Sequence, residues 1–172
     1  MKKLFALLCI FATLLLLASC AGDSSVPDGM KLAAGGESVG YELYVPAAWT
    51  CSSIGDVNGA YVSRIDTSNV TLTEAALPEG SVEEYFRASL AEFPTAPTVT
   101  LENEVATLGN ATEARKYSYT YEYSGHTFRF LQVFATFEGR FYIFTYTAPD
   151  EPYRDGGEET FYQKHLDEAQ SV

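Results

Sequence analysis

The chain has 172 residues, 47% of them hydrophobic and 14% aromatic, with 11 basic and 23 acidic side chains for a formal charge of −12. A domain of this length buries about two-thirds of its unfolded surface, so a sizeable core is available. So acidic a surface excludes electrostatic binding of nucleic acid or of an anionic lipid surface.

Met1-Lys2-Lys3 is a short basic lead, and Leu4 to Leu17 is an apolar run without charge. The run is too short to span a bilayer comfortably, so it reads as an export signal and not as a permanent anchor. Its tail, Leu17-Ala18-Ser19-Cys20, resembles the lipobox of bacterial lipoproteins, in the order charge, apolar run, lipobox. The resemblance implies cleavage after residue 19 and acylation of Cys20 with palmitate-type chains. It also implies a bacterial, extracytoplasmic location in the cell envelope, anchored to the membrane through the lipid on Cys20. Residues 1–19 are thus expected as the lipoprotein signal peptide. Their removal takes two lysines and no acid, leaving nine basic against 23 acidic residues, a charge of −14. Cys9 leaves with the signal and Cys20 carries lipid, so Cys51 has no partner for an internal disulfide.

Residues 20–38, rich in Gly, Ser, Asp and Ala, are expected as a lipidated flexible tether, with a short strand around Met30 to Ala33 as the alternative. A single domain over 39–172 follows. Val39 to Val45 is a strand ended by Pro46, and Trp49 after it is expected as a core plug. Asn58-Gly59 reads as a hairpin turn between Ile54–Val57 and Ala60–Ile65. Asn69 to Thr73 is another short strand. Ser81-Val82-Glu83-Glu84 is a capping box, and Val82, Tyr85, Phe86, Leu90 and Phe93 then share one helical face until Pro94 and Pro97 stop the helix.

Thr98 to Leu108 and Thr112 to Tyr123 read as a hairpin turning at Gly109-Asn110. Half of the Phe and Tyr residues lie between Tyr117 and Tyr146, so the core should form there. Lys116 to Tyr123 alternates strictly, with four tyrosines on one face and Lys116, Ser118, Thr120 and Glu122 on a face expected to be wet. Ser124-Gly125 is a tight turn. Thr127 to Phe137 and Phe141 to Tyr146 are apolar on both faces, so both faces need cover, and helices are the expected cover. A polar loop over 149–157 leads to a second helix near Glu158, burying Phe161, Tyr162, Leu166 and Ala169.

Tyr41-x-Leu43-x-Val45-Pro46-x-x-Trp49 and Tyr142-x-x-Thr145-Tyr146-Thr147-Ala148 before a final helix resemble the PsbP-like superfamily. The resemblance covers 39–172. It implies an α+β fold, an antiparallel β-sheet with helices on both faces in an α/β/α sandwich. It also implies a non-enzymatic accessory or binding role. The matching positions are core positions, so no site residue carries across. Members usually continue the last helix by a further hydrophobic turn, whereas this chain stops at Gln170-Ser171-Val172, so the domain is expected to be truncated at its carboxyl end.

Candidate chemistry is sparse. Cys51 needs a base to act as a nucleophile, and the histidines are His126, beside a hairpin turn, and His165, expected on the outer part of the last helix. Cys51 is read instead as a small buried residue. Asp150, Glu151, Asp155, Glu158 and Glu159 lack the spacing of a calcium loop and read as a solvated helix approach. Asn69 and Asn110 match the N-glycosylation pattern, which a bacterial lipoprotein would normally not use. The sequence therefore predicts no catalytic, cofactor-binding or metal residue, lipid attachment at Cys20, and an unidentified envelope protein as partner. The function expected is a binding or accessory protein without catalysis. The alternatives are ligand capture for a transporter, or a hydrolase or redox enzyme.

Overall fold

A computed structural model describes residues 26–36, 41–54, 57–62, 66–107, 111–154 and 156–170. The elements run β1 (Met30–Gly36), β2 (Tyr41–Pro46), β3 (Thr50–Ile54), β4 (Val57–Tyr61), β5 (Asn69–Ala75), α1 (Val82–Leu90), β6 (Thr98–Val105), β7 (Glu113–Tyr123), β8 (His126–Phe137), β9 (Arg140–Pro149) and α2 (Phe161–Gln170). β1 and β2 form a two-stranded ribbon. The other seven strands form one antiparallel sheet in the order β3-β4-β5-β9-β8-β7-β6.

The long aromatic strands are joined by two-residue turns, Ser124-Gly125 and Glu138-Gly139. All four turn residues have positive φ, the backbone that matches the right-handed twist of the flanking strands. That geometry fixes the register and so decides which side chains share a face. Tyr117, Tyr119, Phe130, Phe134, Phe141 and Ile143 fall on one face, and Ser118, Leu131, Val133, Ala135, Tyr142 and Tyr146 on the other.

On the first face α1 lies against β7 and β8. Phe86 stacks on Tyr117 at 4.1 Å between ring centroids and meets Phe134 edge-on at 6.1 Å. Phe86, Tyr117 and Phe141 are fully buried. Burial pushes the Tyr119 hydroxyl up to about 12. The capping box is present: Ser81 Oγ accepts from Glu84 N, and a Glu84 carboxylate oxygen accepts from Ser81 N. Ser81→Ala removes the acceptor for an otherwise orphan donor, so a loss of about 1 kcal/mol is expected in urea unfolding. A variant as stable as the parent would show that the first turn does not depend on its cap.

The second face differs from expectation. It is covered mainly by the β1–β2 ribbon, where Leu43, Val45 and Ala33 pack with Trp49, Ala60, Val70 and Tyr146. α2 sits at the margin of this cluster. The α/β/α sandwich with helices on both faces, and with it the layering the PsbP-like resemblance implies, is therefore overturned: the fold is β-rich, nine strands against two short helices among the described residues. Scale gives the reason. A helix of nine residues is about 14 Å long. The six inter-strand spacings of a seven-stranded sheet span about 29 Å. Two such helices cannot form layers over it.

Other readings shift with this one. Met30–Gly36, within the segment expected as tether, is strand β1. Asn58-Gly59 is no turn but lies inside β4, opposite Leu72 and Thr71. β3 and β4 instead join through residues 55–56, outside the described residues. Gly59 suits its strand, because a Cβ there would run into the Val70 carbonyl oxygen. Ser118, expected on a wet face, is 7% exposed. Trp49 is a core plug, 4% exposed.

At one edge of the sheet, β6 carries two register irregularities and a positive φ at Asn103. Such breaks blunt an open edge against pairing with another chain. Asn103 is held in turn, accepting from the Tyr117 hydroxyl at 3.3 Å and donating to Glu83 at 3.3 Å.

Candidate functional site

The proposed lipid-attachment residue Cys20 lies outside the described residues, as do Asn110 and Asp155. No helix among the described residues is long and apolar enough to cross a membrane.

Cys51 is exposed on β3, the edge strand opposite β6, which corrects the reading of it as buried. Its Sγ lies 4.0 Å from the Leu32 carbonyl oxygen of the ribbon. His126 begins β8, four strands away, about 19 Å across the sheet. Its Nδ1 lies 3.0 Å from Glu151, and both side chains are open to solvent. Cys51 and His126 are therefore not brought together as nucleophile and base.

His165 corrects the sequence more sharply. It is 1% exposed, packed edge-on to Trp49 and stacked near Phe161. Its Nε2 lies 2.6 Å from Asp66 Oδ2. Asp66 Oδ1 accepts from the Ser68 backbone N–H at 2.9 Å and from the Ser68 hydroxyl. Ser68 is fully buried. Burial alone would raise the Asp66 carboxyl. The Ser68 hydroxyl, the His165 ring and the Ser68 amide together outweigh it and hold the group below its ordinary value. A Ser, an Asp and a His in contact invite comparison with a hydrolytic triad, but the order is wrong. There the imidazole stands between hydroxyl and carboxylate and takes the hydroxyl proton. Here the carboxylate stands in the middle and the hydroxyl is sealed from substrate. The network fastens α2 to the loop between β4 and β5.

The acidic residues of the 150s are likewise dispersed. Asp150 accepts from Arg129 Nη2 at 2.7 Å and from its Nε at 3.2 Å, and the Arg129 guanidinium lies 5.2 Å from the Tyr162 ring centre. Glu151 faces His126, and Glu158 and Glu159 are exposed. Among the described residues no three His, Cys, Asp or Glu side chains are placed to hold a metal ion.

One surface was not singled out in the sequence. α1 covers its face over β7, β8 and the Phe141 and Ala75 ends of β9 and β5, and among the described residues the rest of β9 and β5, with β4 and β3, is left open. The register puts Thr145 and Thr147 opposite Thr71 and Asn69, and these opposite Gly59 and Tyr61, which pair with Ser52 and Thr50. The signal was the alternation Asn69-x-Thr71-x-Thr73 and Thr145-x-Thr147, read only as strand. A hollow of about 140 Å³ lies on this floor with an almost wholly apolar surface, lined by residues that include Val57, Gly59, Tyr61, Val70 and Thr71. On the neighbouring β8, Gln132 Nε2 donates to Thr145 Oγ1 at 3.1 Å, while Gln132 Oε1 is buried without a hydrogen-bond partner among the described residues.

No protein-family model matches the chain, and no curated protein matches it. Solved structures with a distant likeness include PA94, a protein of unknown function from Pseudomonas aeruginosa. It is 18% identical with a TM-score of 0.44, over 70% of this chain and 83% of that one. A second, from Bacteroides thetaiotaomicron, is 14% identical at 0.44, and the match covers 74% of this chain but only 42% of that one. LpqN of Mycobacterium tuberculosis, involved in cell envelope biogenesis, is 16% identical with a TM-score of 0.36, over 74% of this chain and 69% of that one. Likenesses at this level transfer neither activity nor partner.

Proposed function

We propose that the protein is a lipid-anchored extracytoplasmic binding or accessory protein that acts by contact and not by catalysis. The observation that carries this reading is Leu17-Ala18-Ser19-Cys20 at the end of a basic and apolar lead. Two observations of the folded domain support it. Cys51 and His126 stand about four strand spacings apart, and His165 is spent on a buried structural bond to Asp66. Among the described residues the surface left uncovered is a broad sheet face, a shape suited to laying a partner flat.

Stable anchoring by acylation takes more than one chain, and the first acyl group needs the Cys20 thiol. Cys20→Ala is therefore expected to abolish fatty-acid labelling and to leave the precursor unprocessed, or to release it from the membrane fraction. Full labelling and an unchanged mature mass in Cys20→Ala would overturn the reading.

A further inference from the structure

We propose that the outward face of the β1–β2 ribbon lies on the surface of the membrane that anchors the chain, so that the domain rests on one side and presents the other. This rests on the reading of Cys20 as acylated and adds to it the face that meets the lipid.

Chain length carries the first part of the argument. The sequence allowed a tether as far as residue 38, but β1 already begins at Met30, and Val26 stands only six residues after Cys20. Fully extended, six residues reach about 20 Å at most. That is less than the roughly 29 Å breadth of the seven-stranded sheet. The surface around Val26 therefore cannot leave the neighbourhood of the headgroups. The turn where the leash ends is fastened to the ribbon: Met30 N–H donates to the Pro27 carbonyl at 3.0 Å, and Ala47 N–H to the Gly29 carbonyl at 2.8 Å. What the lipid holds close is the ribbon itself.

The register decides what the ribbon shows to its surroundings. Leu43 and Val45 pack inward, and side chains alternate along a strand, so Tyr44 points outward with its partner Leu32. Met30 and Pro46, paired with each other, share that side. Leu32 is 43% exposed and Val26 is 44% exposed, so two large apolar side chains stand in water where the leash ends. From Val26 to Gly36 the chain carries one acid, Asp28, and one base, Lys31, and so no net charge, in a protein of −12. Glu42, on the outer side of β2, accepts from the Tyr44 hydroxyl. An apolar strip without net charge, bearing a tyrosine with a polar tip, suits the boundary between headgroups and acyl chains. The contact needs no electrostatic attraction, because a short tether holds the strip at a local concentration on the order of millimolar. α1 packs on the opposite face of the sheet. The open face beside α1 is thereby turned away from the lipid, toward a partner.

The test uses the acylated protein, purified from membranes and reconstituted into phosphatidylcholine vesicles with or without lipid carrying a nitroxide on its headgroup. In a Cys51→Ser background, a fluorophore is attached at Leu32→Cys or, as the control on the α1 face, at Tyr123→Cys. The nitroxide lipid is expected to lower the Leu32 fluorescence at least about twofold and to leave the Tyr123 fluorescence nearly unchanged. Both side chains are exposed, so both labelled proteins should unfold within a few degrees of the parent. Equal quenching at the two sites, stronger quenching at Tyr123, or none at either would overturn the inference. An unquenched Leu32 probe in a protein that sediments as two chains would also overturn it, showing a second copy as the occupant. Mass spectrometry of the same sample reads the acyl groups. A chain without them overturns the anchor reading and this inference with it, whereas an acylated chain with an unquenched Leu32 overturns this inference alone.

Discussion

Phe134→Ala is expected to lower the stability of the domain by about 3–5 kcal/mol, the range for truncating a buried aromatic residue. Phe134 is 1% exposed toward the carboxyl end of β8. Its ring meets Tyr117 at 5.5 Å, Tyr85 and Phe141 at 5.9 Å and Phe86 at 6.1 Å between centroids. These four come from α1, β7 and β9, so the side chain joins the helix to the central sheet. Its loss leaves a cavity bounded by rigid rings, which cannot collapse into it as flexible side chains would. Against a typical total of about 5–15 kcal/mol, the deficit is a large fraction of all the stability there is. Tyr123, at the end of β7 and 65% exposed, is the control: Tyr123→Ala should cost no more than about 0.5 kcal/mol. Urea unfolding followed by tryptophan fluorescence reads both. Equal losses would mean that the ring cluster under α1 is not the core.

The same cluster shows what a sequence can and cannot disclose. Its strands were legible because alternation in Lys116–Tyr123 and the Ser124-Gly125 turn each fix a period and a register locally. α1 was legible because its cap and its apolar face are written within thirteen residues. The cover of the second face was not, because an apolar surface specifies that something must pack on it and not what. The ribbon that does so draws β1 from a stretch whose small residues resemble a linker. At β4, Asn58-Gly59 can form a turn or stay extended. The choice falls to tertiary pairing, which puts Ala60 opposite Val70 and under the ribbon. The open floor was written in the alternating threonines, but that it is open depends on where α1 lies. His165 was the least accessible. It falls one turn after Tyr162 on the buried side of α2, and a histidine there needs a partner, which the chain supplies 99 residues away.

That partnership carries the second large effect. Asp66→Ala removes the acceptor facing His165 Nε2 and the acceptor for both the amide and the hydroxyl of Ser68. With hydrogen bonds to a charged group contributing roughly 1.5–3 kcal/mol each, a loss on the order of 3 kcal/mol is expected. The effect should also depend on pH, in a definite direction. Asp66 has a depressed pKa in the folded protein, despite the upward push of burial, because Ser68 and His165 favour its charged form. As pH falls, the unfolded chain takes up the proton first, at about 3.9, and the folded protein only at a lower value. The contribution of Asp66 is therefore fully present above about pH 4 and is lost as pH falls through the folded value. Asp66→Asn keeps an acceptor of similar shape that cannot ionise. The stability gap between the parent and Asp66→Asn, measured by urea unfolding, should shrink between pH 4 and 3. Other carboxylates contribute their own acid sensitivity, but they are common to both proteins and cancel in the difference. A gap that stays constant through pH 3, or widens there, would show that the Asp66 carboxylate is not the charged centre of this network.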